Sequence, residues 1–226
     1  VDGRTDPQIR FLHGSTGEGK KAARTNNLTQ FSWTPSGEIV FSQTHHTDSY
    51  RIRGDLFLLD RGGDIRPITR GKRLDHPDVH PDGGRVVAVQ EGLGSNRLVL
   101  AGLVSGTPEL TTKGPGSSPG GSSRSEPGKT WEEPLAAGTV EPLTAGAVEP
   151  LTDYRDDQLW AYPRWSPDGR WIAAARWRTG AYYDVVILTP DGHVAWEITG
   201  DRAVDLSPTW SPDGRWLLWS SDRSGI

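Results

Sequence analysis

The chain contains no cysteine and no methionine in 226 residues. No disulfide can brace it and no thiolate can hold a metal, and compartment stays open on that ground. No apolar run approaches the roughly 20 residues that a membrane-spanning helix requires. Strong charge of either sign is also missing. A net charge of −4 and a pI of about 5.9 give no reason to expect nucleic acid as a partner. No signal peptide is visible, yet the sequence opens on Val1 without a Met, so removal of an upstream targeting segment is compatible with it.

Signatures of chemistry are equally scarce. There is no Gly-x-Ser-x-Gly nucleophile elbow, and neither Ser105-Gly106 nor the Ser-rich stretch has a base beside it. Gly14-Ser15-Thr16-Gly17-Glu18-Gly19-Lys20-Lys21 approaches a phosphate-cradling loop. Lys21, however, stands where that loop needs Ser or Thr for Mg²⁺, and no amphipathic helix follows. It reads as a Gly-rich loop between strands. His45, His46, His76 and His80 share no ligand spacing with nearby carboxylates. Asn27-Leu28-Thr29 fits the glycosylation sequon, which carries weight only in a eukaryotic secretory setting. The expectation is no cofactor, no metal and no catalytic residue in this chain.

Tryptophan is what the sequence does have: ten, against four Phe. Six of them, at 33, 165, 171, 210, 216 and 219, mark a repeat. Trp210-Ser211-Pro212-Asp213-Gly214-Arg215-Trp216 nearly copies Trp165-Ser166-Pro167-Asp168-Gly169-Arg170-Trp171. Weaker copies start at Val79, with Asp82 and Gly83, and at Trp33, with Gly37 and with Ser36 in place of Asp. Each copy ends one apolar run, turns on Pro-Asp-Gly, and begins another. Pro presets φ, Asp bonds its own backbone and Gly takes the left-handed corner, so each copy predicts a hairpin. The Asp residues at 82, 168 and 213 are thus read as turn formers. Pro77, Pro163 and Pro208 sit two residues before their anchors, which argues for edge strands.

The anchors Trp33, Val79, Trp165 and Trp210 imply a module of about 45 residues once the long third interval is reduced by an insertion of roughly forty. In order, the first unit predicts strands ending at Trp33, then over 38–43, 55–60 and 65–69, with a polar loop at 44–51. The second predicts 85–90, 97–103 and 108–112. The third predicts 171–176, 183–189 and 194–199, and the fourth begins at Trp210. Residues 113–129 are Gly, Ser and Pro with scattered charge. Residues 133–152 are a tandem of Glu-Pro-Leu units. Such composition cannot offset its ordering entropy, and 109–148 is read as a disordered insertion. The expected division is therefore 1–26, a segment with the Gly-rich loop, and 27–226, the repeat units.

Four antiparallel strands every ~45 residues predict an all-β fold, a β-propeller of four-stranded blades. Ile172-Ala173-Ala174-Ala175 and Trp216-Leu217-Leu218-Trp219 are apolar on both faces, as strands are when both sides of their sheet are covered. A β-sandwich, the alternative, predicts alternation and no fixed period.

The Trp-Ser-Pro-Asp-Gly-Arg-Trp units, followed by Ser220-Ser221-Asp222-Arg223-Ser224-Gly225, resemble the WD-like repeats of TolB-type propellers. They are also similar to repeats in the propellers of prolyl-oligopeptidase-like and tricorn-like peptidases. The resemblance covers 27–108 and 149–226. It implies six or more blades, so about three blades and part of a fourth are expected to be an incomplete ring, a fragment of a longer chain. It further implies a bacterial envelope setting, usually periplasmic, and a non-catalytic propeller that binds a protein or peptide. The α/β domain of TolB is not recognisable here, so its own lipoprotein partner is not carried over. The alternative is the substrate-gating propeller of a larger peptidase. By strand order, one rim gathers the loops that carry His45, His46, Asp48, Tyr50, Tyr154, Arg155, Asp156, Asp157, Trp160, Trp177, Arg178 and Tyr182. Aromatic and Arg residues are common anchors of protein contacts, which makes this loop face the expected binding surface.

Overall fold

A computed structural model describes residues 7–26, 30–48, 51–105 and 143–223. Every element in them is a strand: β1 (Gln8–Leu12), β2 (Gly19–Arg24), β3 (Phe31–Trp33), β4 (Ile39–Asp48), β5 (Arg51–Leu59), β6 (Ile65–Pro67), β7 (Leu74–Val79), β8 (Arg85–Glu91), β9 (Asn96–Ser105), β10 (Leu143–Pro150), β11 (Gln158–Trp165), β12 (Ile172–Arg178), β13 (Tyr183–Leu188), β14 (Val194–Glu197), β15 (Asp205–Trp210) and β16 (Leu217–Ser221). Among the described residues no helix is long and apolar enough to cross a membrane.

The strands form three four-stranded antiparallel sheets, β3-β4-β5-β6, β7-β8-β9-β10 and β11-β12-β13-β14. Two-stranded sheets flank them, β1-β2 before and β15-β16 after. In each complete sheet the chain moves from the first strand to the fourth and then starts the next sheet. The result is an incomplete β-propeller, with the anchors at the ends of the first strands. β7, β11 and β15 are edge strands, as their prolines require.

Sheets pack face to face in sequence. Ile9 and Ala23 of the first hairpin meet Ile39, Phe41, Phe57 and Leu59. Val40, Leu56 and Leu58 on the other face of that sheet meet Val86, Ala88 and Val99. Val87, Val89 and Leu98 in turn meet Ile172, Ala174 and Val186. The second strands are therefore buried on both faces, which is why they read as unbroken apolar runs. A sandwich would leave one face of each sheet polar.

A threonine latch closes the outer edge of each complete sheet. The hydroxyls of Thr69, Thr152 and Thr199 accept the backbone N–H of Leu56 at 2.9 Å, Leu98 at 2.9 Å and Val185 at 3.0 Å. Thr69 and Thr199 then donate to the buried carboxylates of Asp55 at 2.9 Å and Asp184 at 3.3 Å. A buried carboxylate needs such donors to remain in the core.

Several expectations from the sequence shift. Residues 44–51 are not a polar loop: β4 continues to Asp48, and His45 and His46 stand opposite Arg53 and Ile52. Polar side chains suit a hairpin that extends past the sheet, because its backbone still satisfies its hydrogen bonds in the ladder. Residues 143–148, placed inside the insertion, instead belong to β10, the fourth strand of the second sheet. Leu143 to Ala145 pair with Ser105 to Leu103, and Val148 to Pro150 pair with Ala101 to Val99. An edge strand needs a backbone partner more than apolar content, and β9 supplies one. The strand expected at 108–112 and the rest of the insertion lie outside the described residues. So do Asn27 to Thr29 and Tyr50. Lys20 and Lys21 lie in β2, which removes any phosphate-loop reading.

Candidate functional site

The first strands carry an irregularity that recurs at one repeat position. Their ladders shift between Asp75 and Asp78, between Ala161 and Arg164, and between Leu206 and Thr209. Inside each shift a bulky or polar residue precedes proline with positive φ: His76 at 50°, Tyr162 at 52° and Ser207 at 53°. Proline supplies no N–H to the ladder, so the rung is lost and a bulge forms. The first copy confirms the cause. Phe31 stands where the others have Pro, and Phe31-Ser32-Trp33 pairs with Phe41-Val40-Ile39 without a break. A left-handed non-glycine residue costs about 1–3 kcal/mol, and such residues cluster at functional sites.

These bulges gather a polar neighbourhood. The His76 ring meets the Tyr162 ring edge-on at 4.5 Å. His76 Nδ1 is buried and has no hydrogen-bond partner among the described residues. Burial pushes the His76 pKa down; the Asp75 charge opposes this and Arg164 adds to it, so the ring is neutral at pH 7. Asp75 accepts the His76 backbone N–H at 2.8 Å and the hydroxyl of Ser42. Burial also raises the Glu91 carboxyl, with Asp75 adding to the rise and an Asn96 hydrogen bond opposing it. Tyr183 is raised by burial and by the proximity of Tyr162 and Glu91.

The residue before each anchor ties neighbouring first strands together. Ser32 Oγ accepts the Val79 N–H at 3.0 Å, and Asp78 Oδ2 accepts the Trp165 N–H at 2.7 Å. Arg164 cannot accept, and there the Trp210 indole N–H reaches the Arg164 carbonyl at 3.2 Å. The Arg164 guanidinium spans further, to Asp78 at 3.7 Å and to Gln30 Oε1 at 3.2 Å. Burial raises the Asp78 pKa and Arg164 opposes that rise.

On the loop face the expected residues separate. Tyr154 is exposed and holds Arg97 over its ring at 4.4 Å. Arg155 grips Asp157 through two 2.9 Å hydrogen bonds at the surface. Tyr182 is exposed, Trp177 is half-buried, and Arg178 lies 3.5 Å from Glu197. Trp160 does not belong with them. It is 3 % exposed, and its backbone is bracketed by the Asn96 amide at 2.7 and 3.0 Å, so it is a core residue between the second and third sheets. His45 and His46 sit on the β4 hairpin and Tyr50 is outside the described residues, so these nine side chains do not converge on one point.

The opposite rim holds the turns. Asp82, Asp168 and Asp213 accept the N–H two residues on, from Gly84 at 2.8 Å, Arg170 at 3.1 Å and Arg215 at 3.1 Å. Gly37, Gly83, Gly169 and Gly214 all have positive φ. In the first copy Ser36 replaces Asp and donates to Glu38 at 3.0 Å instead. Among the described residues no three His, Asp or Glu side chains are placed to share a metal ion.

Sequence reasoning missed His76, Tyr162 and Ser207 as a set. The available signal was a residue-Pro pair at a fixed distance before three anchors, which was used only to place edge strands.

No protein-family description matches the chain, and no curated protein matches it. Solved structures do. TolB from Acinetobacter baumannii superposes with a TM-score of 0.58 at 17 % identity, over 94 % of this chain and 42 % of that one. The TolB-type protein of Agrobacterium tumefaciens gives 0.60 at 16 %, over 94 % and 66 %. A gluconolactonase from Xanthomonas campestris gives 0.60 at 12 %, over 95 % and 62 %. At these identities the likeness is one of fold, the propeller. The chain spans less than two thirds of the length of each of these proteins.

Proposed function

We infer that the chain is a non-catalytic, ligand-holding part of a propeller, and that it grips a protein or peptide segment where the bulged first strands open toward the loop face. The reading rests on one observation: three consecutive first strands spend backbone strain at the same position, displaying His76, Tyr162 and Ser207. Strain repeated in register has no role in the turns or the core, which are complete without it. A neutral imidazole with an unpartnered nitrogen, a phenol and a nearby guanidinium offer hydrogen bonds of both senses. That suits a peptide backbone better than a uniformly charged ligand. Tyr154 and Tyr182 on the adjoining loops extend the surface. The likeness to TolB structures supports placing the longer protein in the bacterial envelope, in the periplasm, as a fragment of which this chain would supply about half a ring.

The test is selection of binding peptides from a random 12-residue library on the purified chain. His76→Asn and Tyr162→Asn keep the left-handed preference that Asn tolerates, so the fold should survive. Each is expected to weaken the selected peptides about tenfold, the worth of one hydrogen bond of about 1.4 kcal/mol. Peptides that bind both variants as tightly as the parent chain would refute the site.

A further inference from the structure

The two incomplete sheets are incomplete in opposite ways. In every complete sheet the fourth strand leads directly into the first strand of the next: β6 into β7, β10 into β11, β14 into β15. β2 leads into β3 in the same manner, so β1-β2 occupies the third and fourth places of a sheet. Ile9 and Phe11 point at the first sheet, as Leu56 and Leu58 of the third strand β5 point at the second. Thr25 is buried at the end of β2 like Thr69 and Thr199, and its N–H bonds the carbonyl of Pro7 at 2.9 Å, as that of Thr69 bonds Leu56. At the other end, β15-β16 carries the anchor and the turn, and so occupies the first and second places. One end of the chain presents two outer strands that lack inner ones, and the other presents two inner strands that lack outer ones.

The exposed apolar side chains follow the same division. Trp33 and Phe31, on the first strand beside the hairpin, are open to solvent, as is Leu12 on the outward face of β1. At the far end Trp196, Trp216 and Leu218 are open. A cleft of about 530 Å³ lies there, floored by Ile187, Trp171, Trp196 and Trp210, where the outer half of a fourth sheet would pack. Its rim carries Asp168 and Asp213 with one cation, Arg170. The hairpin brings Arg10 and Lys21, which stand opposite one another.

We propose that the occupant is a second copy of this chain. The β1-β2 hairpin of one copy adds to β16 of the other, giving a mixed sheet β15-β16-β1-β2. Reciprocal exchange around a two-fold axis makes eight sheets in a closed ring, within the roughly four to eight blades that propellers form. The hairpin keeps its packing on its own first sheet, so the junction continues an interface that each copy already has.

The absence of cysteine makes the test clean. Gln8→Cys and Ser221→Cys are made as separate single variants of the full 226-residue chain, mixed, and treated with a short bis-maleimide. Its span tolerates a shift of register between β16 and β1. The expected product is an 8-to-221 link between chains, with 8-to-8 and 221-to-221 links rare. Light scattering of the parent chain at tens of micromolar should give twice the mass of one chain. Leu218→Glu, on the exposed side of β16, should return it to the single mass with an unchanged β-sheet spectrum. A single-chain mass for the parent, links without preference, or a ladder of higher species would each overturn the closed pair. Should Leu218→Glu fail to fold, the cross-linking result decides alone.

Discussion

Two copies of one heptapeptide, 165–171 and 210–216, have the same local structure and different surroundings. In each the first Ser N–H bonds the last Trp carbonyl, at 2.8 Å for Ser166 and 2.9 Å for Ser211. In each the serine hydroxyl accepts the last Trp N–H at 3.0 Å and donates to the turn Asp, at 2.6 Å for Asp168 and 2.5 Å for Asp213. Gly169 and Gly214 share a φ of 69°. Yet Trp165 is 5 % exposed, with the His80 ring edge-on at 4.5 Å and the Arg85 guanidinium over it at 5.3 Å. Trp210 is only half-buried. Trp171 stacks near Trp196 at 4.6 Å, whereas Trp216 is 70 % exposed. The motif makes the turn, and the neighbouring sheets decide whether its rings are core.

Truncating the two anchors should break this pair most visibly. Trp165→Ala is expected to lower stability by about 3–5 kcal/mol, the range for a buried aromatic. Trp210→Ala should cost about half of that, since one side of its ring lacks a covering sheet. Urea unfolding midpoints measure both; equal losses would mean that the turn, and not the packing, sets the contribution.

The glycines sharpen the contrast. A Cβ on Gly169 would lie 2.3 Å from His80 Nε2, while one on Gly214 would find its nearest neighbour, Pro167, at 3.7 Å. Gly214→Ala should therefore cost only the left-handed strain of about 1 kcal/mol, and Gly169→Ala about 2–3 kcal/mol, since His80 must also move. His80 is tied to the Gly169 carbonyl at 3.2 Å, so its displacement should be visible in the imidazole proton resonances.

The smallest effect is in acid. The Ser166 hydroxyl, followed by Arg170, lowers the Asp168 pKa to about 2. A depressed folded-state pKa contributes stability that is present above the unfolded value of 3.8 and is lost as pH falls toward 2. Because the group is at the surface, solvent screening should hold this to about 0.5 kcal/mol. Asp168→Asn should flatten the dependence of the urea midpoint on pH between those two values and change little at neutral pH. Asp213, lowered first by its Ser211 hydrogen bond, should behave alike, because this contribution is local and both turns share it.

Much of the architecture was legible because turn chemistry and strand burial are local properties. Pro-Asp-Gly fixes a corner through φ preference and a carboxylate bond to its own backbone, and uninterrupted apolar runs such as 172–175 report a sheet covered on both sides. The β10 strand was not legible: Leu143 to Pro150 is half of a low-complexity tandem, and only the free edge of β9 makes it a strand. The bulge residues were half legible. Pro77, Pro163 and Pro208 announced an edge, but the left-handed turn of the residue before each depends on a ladder that must resume its register two residues later. Trp160 was misjudged because a tryptophan near a loop looks like a contact residue until Asn96, far away in sequence, is seen to clamp its backbone.

The amino-acid sequence by itself determined the module, its turns and its four-strand rhythm, since each depends on dihedral preferences and on contacts within a few tens of residues. Tertiary structure alone decided which tryptophans are core, that His76 and Tyr162 meet, and that the two ends of the chain present complementary halves of a sheet. Those outcomes depend on side chains brought together from different sheets, and a repeat pattern carries no information about which neighbour a given face will find.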